Sequence, residues 1–154
     1  MDSSSGGSSN RGDGSDVVRE LMEVIDTVGS YTGYRKTQRK ECLNLVRRLK
    51  LLIPLLEEMR ELEESVSGLA LNSLVNLKKA LLAAKKLLKD CNYGSKIYLA
   101  MESEAVTSRF HAVYDKLNQA LDEVPLDQLQ ISVEVKEQVI FSFSLSWLDL
   151  MFCG

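Results

Sequence analysis

From Tyr34 to Glu61 the chain reads YRKTQRKECLNLVRRLKLLIPLLEEMRE, and this stretch decides the fold. Its apolar residues Cys42, Leu45, Leu49, Leu52, Leu56 and Met59 recur at alternating intervals of three and four, the period that gathers all of them on one side of an α-helix. A strand would need alternation by two. The seam predicts a helix that starts near Arg35 to Thr37 and packs in a bundle. It runs through Pro54, whose ring removes one backbone donor and crowds the preceding turn. A kink between Leu51 and Pro54 in a continuing helix is therefore expected, with two shorter helices meeting there as the alternative.

The same spacing recurs on both sides. Upstream, Val18, Leu21, Ile25 and Val28 mark a first helix, with Ser15 or Asp16 available as N-cap and Gly29 and Gly33 to end it. Downstream, past a break at Ser65 to Gly68, Leu74, Leu77, Leu81, Ala84 and Leu88 mark a third helix reaching Cys91. Ile97 to Met101 is apolar enough for a strand, but one strand has no partner in this chain, so it reads as a packed connector. Val106, Phe110, Val113, Leu117, Leu121 and Val124 stripe a fourth helix that Pro125 stops. A short fifth helix starts at Ser132. Apolar stripes of this kind are satisfied only against one another, so the fold expected is an all-α, up-and-down bundle of four main amphipathic helices plus a short C-terminal helix.

Composition bounds the chemistry. The chain has 154 residues, 27% of them charged and 45% hydrophobic, with a formal charge of -3, the profile of a globular protein of one-domain size. Residues 1–14, mostly serine, glycine and small polar residues, cannot bury enough apolar area to offset their ordering entropy and read as disordered. The tripeptide Arg11-Gly12-Asp13 within them is taken as linker. Cys42, Cys91 and Cys153 are odd in number and lack C-x-x-C spacing, which argues against a disulfide framework or a zinc knuckle and for a reducing compartment. With no apolar leader in the first residues, a cytoplasmic or nuclear location is expected.

The single histidine, His111, leaves little room for histidine-based hydrolysis or metal ligation. Phosphate-binding glycine loops, nucleophile elbows and calcium loops are missing from the sequence. No catalytic residue, cofactor or metal ligand is assigned. Charge, in contrast, is uneven. Arg35, Lys36, Arg39, Lys40 and Arg47 crowd the start of the second helix, beside Arg48 and Lys50, while Glu57, Glu58, Glu61, Glu63 and Glu64 follow the proline. The first five are the candidate partner-binding residues, since such a patch creates a local attractive field despite the net charge. A protein is the first choice of partner and an anionic membrane the second. Nucleic acid is not expected, because aromatic residues are not interleaved with the cations. The competing reading is a solvated face paired with the acidic stretch or with a neighbouring helix.

Three runs carry a resemblance: the stretch from Tyr34 to Glu61, the run LVNLKKALLAAKKLLKDCNYGSKIYLAMESEAVTSRF from Leu74 to Phe110, and LDEVPLDQLQISVEVKEQV from Leu121 to Val139. Together they resemble the N-terminal domain of plant U-box ubiquitin ligases that carry armadillo repeats, over about residues 17 to 139. The most specific parts are R-R-L-K-L-L-I-P-L-L-E-E at Arg47 to Glu58 and C-x-x-G-S-K-I-Y-L at Cys91 to Leu99. The resemblance implies a non-catalytic helical module at residues 15–139 that recruits other proteins, signalling or ubiquitination-pathway components, in immune or cell-death signalling. Members of that family are ubiquitin-protein ligases through a U-box reading roughly F-R-C-P-I-S, followed by armadillo repeats.

Here the chain continues instead as IFSFSLSWLDLMFCG from Ile140 to Gly154, with Asp149 as its only charge. A membrane-spanning helix needs roughly 20 apolar residues, more than this segment holds. The 140–154 stretch reads as a core helix closing the bundle, a membrane-inserting tail, or a segment foreign to the family, the last being favoured. Without a U-box, ligase activity is not carried over to this chain. The alternative function is a membrane-associating helical bundle of the cell-death type, basic helices beside an apolar tail.

Overall fold

The computed structural model describes residues 2–62, 68–92 and 103–153, with side chains described for 16–62, 70–92 and 104–143. Among the described residues there are six helices: α1 (Asp2–Gly29), α2 (Arg39–Lys50), α3 (Ile53–Glu61), α4 (Gly68–Asp90), α5 (Ser103–Glu123) and α6 (Val133–Cys153). Among the described residues the only β-type pairing is an isolated bridge between Tyr34 and Asn92, so the class is all-α, as the periodicities predict. The connector expected at Ile97 to Met101 lies outside the described residues.

Pro54 produces the break rather than the kink. A proline at this position cannot donate to the carbonyl of Lys50, and Lys50 is where α2 ends. Leu51 and Leu52 keep helical backbone angles, and the Leu52 amide donates to Leu49, three residues back, at 3.0 Å. A tight turn thus replaces one turn of α-helix. Pro54 then sits in the first turn of α3, where its missing donor costs nothing. Because the turn keeps the helical sense, the seam survives it: Cys42, Leu45, Leu49, Leu52, Leu56 and Met59 are all buried.

The α2–α3 rod, α1, α4, α5 and α6 form a ring, each packed on its neighbours: α1 on α4, α4 on α5, α5 on α6, and α6 on the rod, which closes back on α1. Contacts fix the directions. Ser73, early in α4, donates from its hydroxyl to the carbonyl of Glu123 at the end of α5 (2.8 Å), and Arg109, early in α5, reaches Asp90 at the end of α4 (2.8 Å). These two helices are antiparallel. Lys78 pairs with Glu20 of α1 at 2.7 Å, and just past the end of α1 the Arg35 amide donates to the Cys91 carbonyl at the end of α4, at 3.1 Å. α1 and α4 are therefore parallel. Inside the ring lie the predicted stripes, including Val18, Leu21, Ile25 and Val28 of α1 and Phe110, Val113 and Leu117 of α5, each 5% exposed or less.

Four expectations shift. α2 starts at Arg39 rather than near Arg35 to Thr37, because Gly33 takes a left-handed backbone (φ 79°) and the chain spends Tyr34 and Arg35 on the latch to Cys91 and Asn92. α1 extends N-terminally to Asp2, through the segment assigned to disorder. That segment holds no proline, and lengthening an existing helix costs far less than starting one. The C-terminal helix is not short: α6 has 21 residues. It also runs across the expected boundary at 139/140, and Ser142 and Phe143 are buried (6% and 3% exposed), so the packed region includes them. No helix is long and apolar enough to cross a membrane among the described residues.

Between α5 and α6 the chain turns through residues 124–132. The Leu129 amide donates to Pro125, and the Ile131 amide to Leu126, a closed turn that tucks Leu129 and Ile131 into the end of the core. Ser132 then caps α6, its hydroxyl accepting from the Val135 amide at 3.4 Å. Glu58 of α3 receives hydrogen bonds from both the Ser132 amide (2.9 Å) and its hydroxyl (2.7 Å). These bonds hold the Glu58 carboxyl below its ordinary range, and a negative charge there also suits the positive end of the helix dipole.

Candidate protein-interaction surface

The five cations singled out from sequence are not all on one helix. Arg35 is half-buried in the loop latched to α4, and Lys36 is exposed in the turn that follows, where the Gln38 amide closes back on the Arg35 carbonyl at 3.0 Å. Arg39, Lys40 and Arg47 are exposed on α2. Successive residues of a helix turn by about 100°, so these three fall within one arc of about 100°, opposite the seam of Cys42, Leu45 and Leu49. Lys50, exposed as well, belongs to the same arc. From Arg39 to Lys50 the arc runs about 17 Å along the helix.

Beside Arg39, Lys40 and Arg47 stands Leu43, 52% exposed, while the Lys50 side chain lies against Gly29 at the end of α1. From sequence, Lys50 is placed beside the patch but Leu43 is given no part in it. Its signal in the sequence is its position, one past Cys42 and four from both Arg39 and Arg47, which puts it on the same arc as those two cations. An exposed leucine by itself is ordinary; one flanked by Arg39, Lys40 and Arg47 is a surface with both an apolar centre and a sign.

Of the acidic stretch, Glu57, Glu58 and Glu61 are among the described residues. Lys36, Arg39, Lys40, Arg47 and Lys50 form no ion pair among the described residues. Arg47 donates to Asn44, one turn back on the same helix. Glu58 is occupied by Ser132, while Glu63 and Glu64 lie outside the described residues. Arg39 and Lys40 are exposed at the start of the helix.

Chemistry of other kinds finds little to work with. Cys42 and Cys91 are both buried free thiols, side by side where α2 meets the end of α4. The hydrogen bond between them and then burial push the Cys42 thiol up, while that bond, accepted by Cys91, draws the Cys91 thiol down. Tyr34 lies beside them, its phenol pushed up chiefly by burial. His111 is half-exposed on α5. Among the described residues no cluster of three or more histidine, cysteine or carboxylate side chains could hold a metal ion.

The sequence matches the family model described as PUB10-like, N-terminal domain, over residues 39–142. The chain is similar to U-box domain-containing protein 13 of Arabidopsis thaliana, 48% identical over 123 residues, which are 80% of this chain and 19% of that protein. It is similar also to the E3 ubiquitin-protein ligase SPL11 of Oryza sativa subsp. japonica, 41% identical over 69% of this chain and 16% of that protein. U-box domain-containing protein 1 of Medicago truncatula is 25% identical over 80% of this chain and 18% of its own length. The chain thus spans about a fifth or less of these relatives. No solved structure matches it.

Proposed function

The chain belongs to the PUB10-like N-terminal domain family of plant U-box proteins, and from that premise we propose that it is a non-catalytic protein-interaction module of the ubiquitination system. The observation that carries the reading is the outward face of α2: a leucine exposed at 52%, flanked by Arg39, Lys40 and Arg47, which form no ion pair among the described residues. Partners are proteins with an acidic, partly apolar surface. The setting is immune or cell-death signalling in the cytoplasm or nucleus, where the module competes with a longer ligase for the same partner. Activity of the kind named for SPL11 needs a surface that holds a charged conjugating enzyme, and no such role is assigned to these helices.

Two measurements test this. Affinity capture with the whole chain, repeated with the Arg39→Glu/Lys40→Glu variant and with Leu43→Ala, should give partners lost from both variants, with association about tenfold slower for the charge reversal and most of the salt dependence gone. Partners retained equally by both variants would place the contact elsewhere. In a reconstituted reaction with activating enzyme, conjugating enzymes, ubiquitin and ATP, the chain should form no conjugates; conjugates that depend on it would make it a ligase in its own right.

A further inference from the structure

Helix α4 has two regular stripes, and only one is used by the fold. The inner stripe, Leu74, Leu77, Leu81, Ala84 and Leu88, is buried. On the solvent side Val75, Lys79, Leu82, Lys86 and Lys89 follow at intervals of four, three, four and three, and every one of them is exposed. Val75 and Leu82, seven residues apart, are 37% and 42% exposed. Intervals of three and four mark a face that meets another helix, yet α1 and α5 already occupy the two flanks of α4.

The charges along this stripe are largely unanswered. Lys78, one residue aside, is drawn away to Glu20 at 2.7 Å. Lys86 approaches Asp90 only at 4.0 Å, and Arg109 holds the same carboxylate oxygen at 2.8 Å. Lys79, Lys89 and, on α5, Lys116 form no ion pair among the described residues. Lys79 and Lys116 face each other across a surface groove of about 360 Å³ between α4 and α5. The one carboxylate lining that groove, Glu123, accepts from Asn76 at 3.0 Å.

We propose that the outer face of α4 docks an acidic amphipathic helix of a partner protein, its apolar side chains at seven-residue spacing resting on Val75 and Leu82 and its carboxylates facing Lys79, Lys86 and Lys116. The stripe from Val75 to Lys89 is about 21 Å long, four turns of such a helix. Recognition by anchors spaced a heptad apart is the general mode of helix-in-groove binding. A lipid surface is the poorer fit, because interfacial helices present a broad apolar face and this one offers two half-covered side chains in a line of lysines. The surface is separate from the α2 face and goes beyond the function proposed above.

The test is a titration of the whole isotope-labelled chain with a synthetic four-turn helical peptide carrying leucines at seven-residue intervals flanked by glutamates, read by amide chemical shifts. Shift changes confined to residues 72–89 of α4 and 116–119 of α5, weakening with salt, are expected. The Lys79→Glu/Lys86→Glu variant should lose about tenfold or more in affinity and regain it for a peptide with lysines in place of the glutamates, whereas Arg39→Glu/Lys40→Glu should bind as the parent does. No saturable binding, shifts centred on Leu43, or equal binding by the Lys79→Glu/Lys86→Glu variant would each overturn the proposal. So would flotation with phosphatidylserine vesicles that is lost in that variant while the peptide leaves α4 unperturbed. Shifts centred on Leu43 would assign the peptide to the α2 face; the other outcomes leave that face to its own variants.

Discussion

Leu49 sits in the middle of the α2 seam and is fully buried. Leu49→Ala should cost about 2–5 kcal/mol through lost packing and the cavity left behind. Leu49→Asp places an unpaired carboxylate in the same spot and should leave the chain unfolded in a thermal melt followed by circular dichroism; a melt close to the parent's would mean that the seam faces outward. Glu58 makes a prediction in pH. Its carboxyl is held below the ordinary value of 4.5 by the two hydrogen bonds from Ser132, so the folded state favours the ionised form. The stability this contact contributes is therefore present above 4.5 and is lost as pH falls below it. Glu58→Gln should flatten that part of the melting-temperature profile, by a small amount because the contact is solvent-screened. Cys42 and Cys91, 0% and 1% exposed, should resist alkylation in the native protein and react once it is denatured, as mass spectrometry of labelled peptides would register.

At the scale of elements, Pro54 shows how much a sequence can and cannot say. The seam through it was legible because the intervals of three and four never falter from Cys42 to Met59. Whether the rod would bend or break was not, because that depends on whether the Lys50 carbonyl finds another donor. Pro54→Ala restores an amide that can reach that carbonyl. It should join α2 and α3 into one helix, seen as new helical shifts at Leu51 and Leu52, with a stability change of about 1 kcal/mol or less. The start of α2 was misjudged for a similar reason: Arg35 and Lys36 look helical beside Arg39, and only the partner across space, the Cys91 carbonyl, explains why they are not. The cations of the α2 face could be read from sequence, and so could their grouping around Leu43, since Arg39, Lys40, Leu43 and Arg47 share an arc wherever upstream of them the helix begins. The length of α6 was hidden by the abrupt change in composition at Ile140, since composition does not report that Phe143 finds a buried place.

For the whole molecule, the parallel pairing of α1 and α4 has a consequence that the other pairings lack. Consecutive antiparallel helices such as α4 and α5 can associate from local contacts alone, but α1 and α4 meet only after the α2–α3 rod has carried the chain back along the bundle. The bond from the Arg35 amide to the Cys91 carbonyl, with the Tyr34–Asn92 bridge beside it, forms at the far end of that detour, so it depends on alignment of the entire first half of the chain. Loop amides normally exchange with solvent deuterium through small local openings. The Arg35 amide, although it lies in a loop, should instead exchange as slowly as those of Leu81 or Leu88 in the core of α4, because breaking its bond requires α1, the rod and α4 to separate together. Its exchange rate, followed by nuclear magnetic resonance, would then report the opening of the bundle as one cooperative unit, whereas exchange as rapid as that of an exposed turn would split the molecule into two units, α1 to α3 and α4 to α6, that open independently.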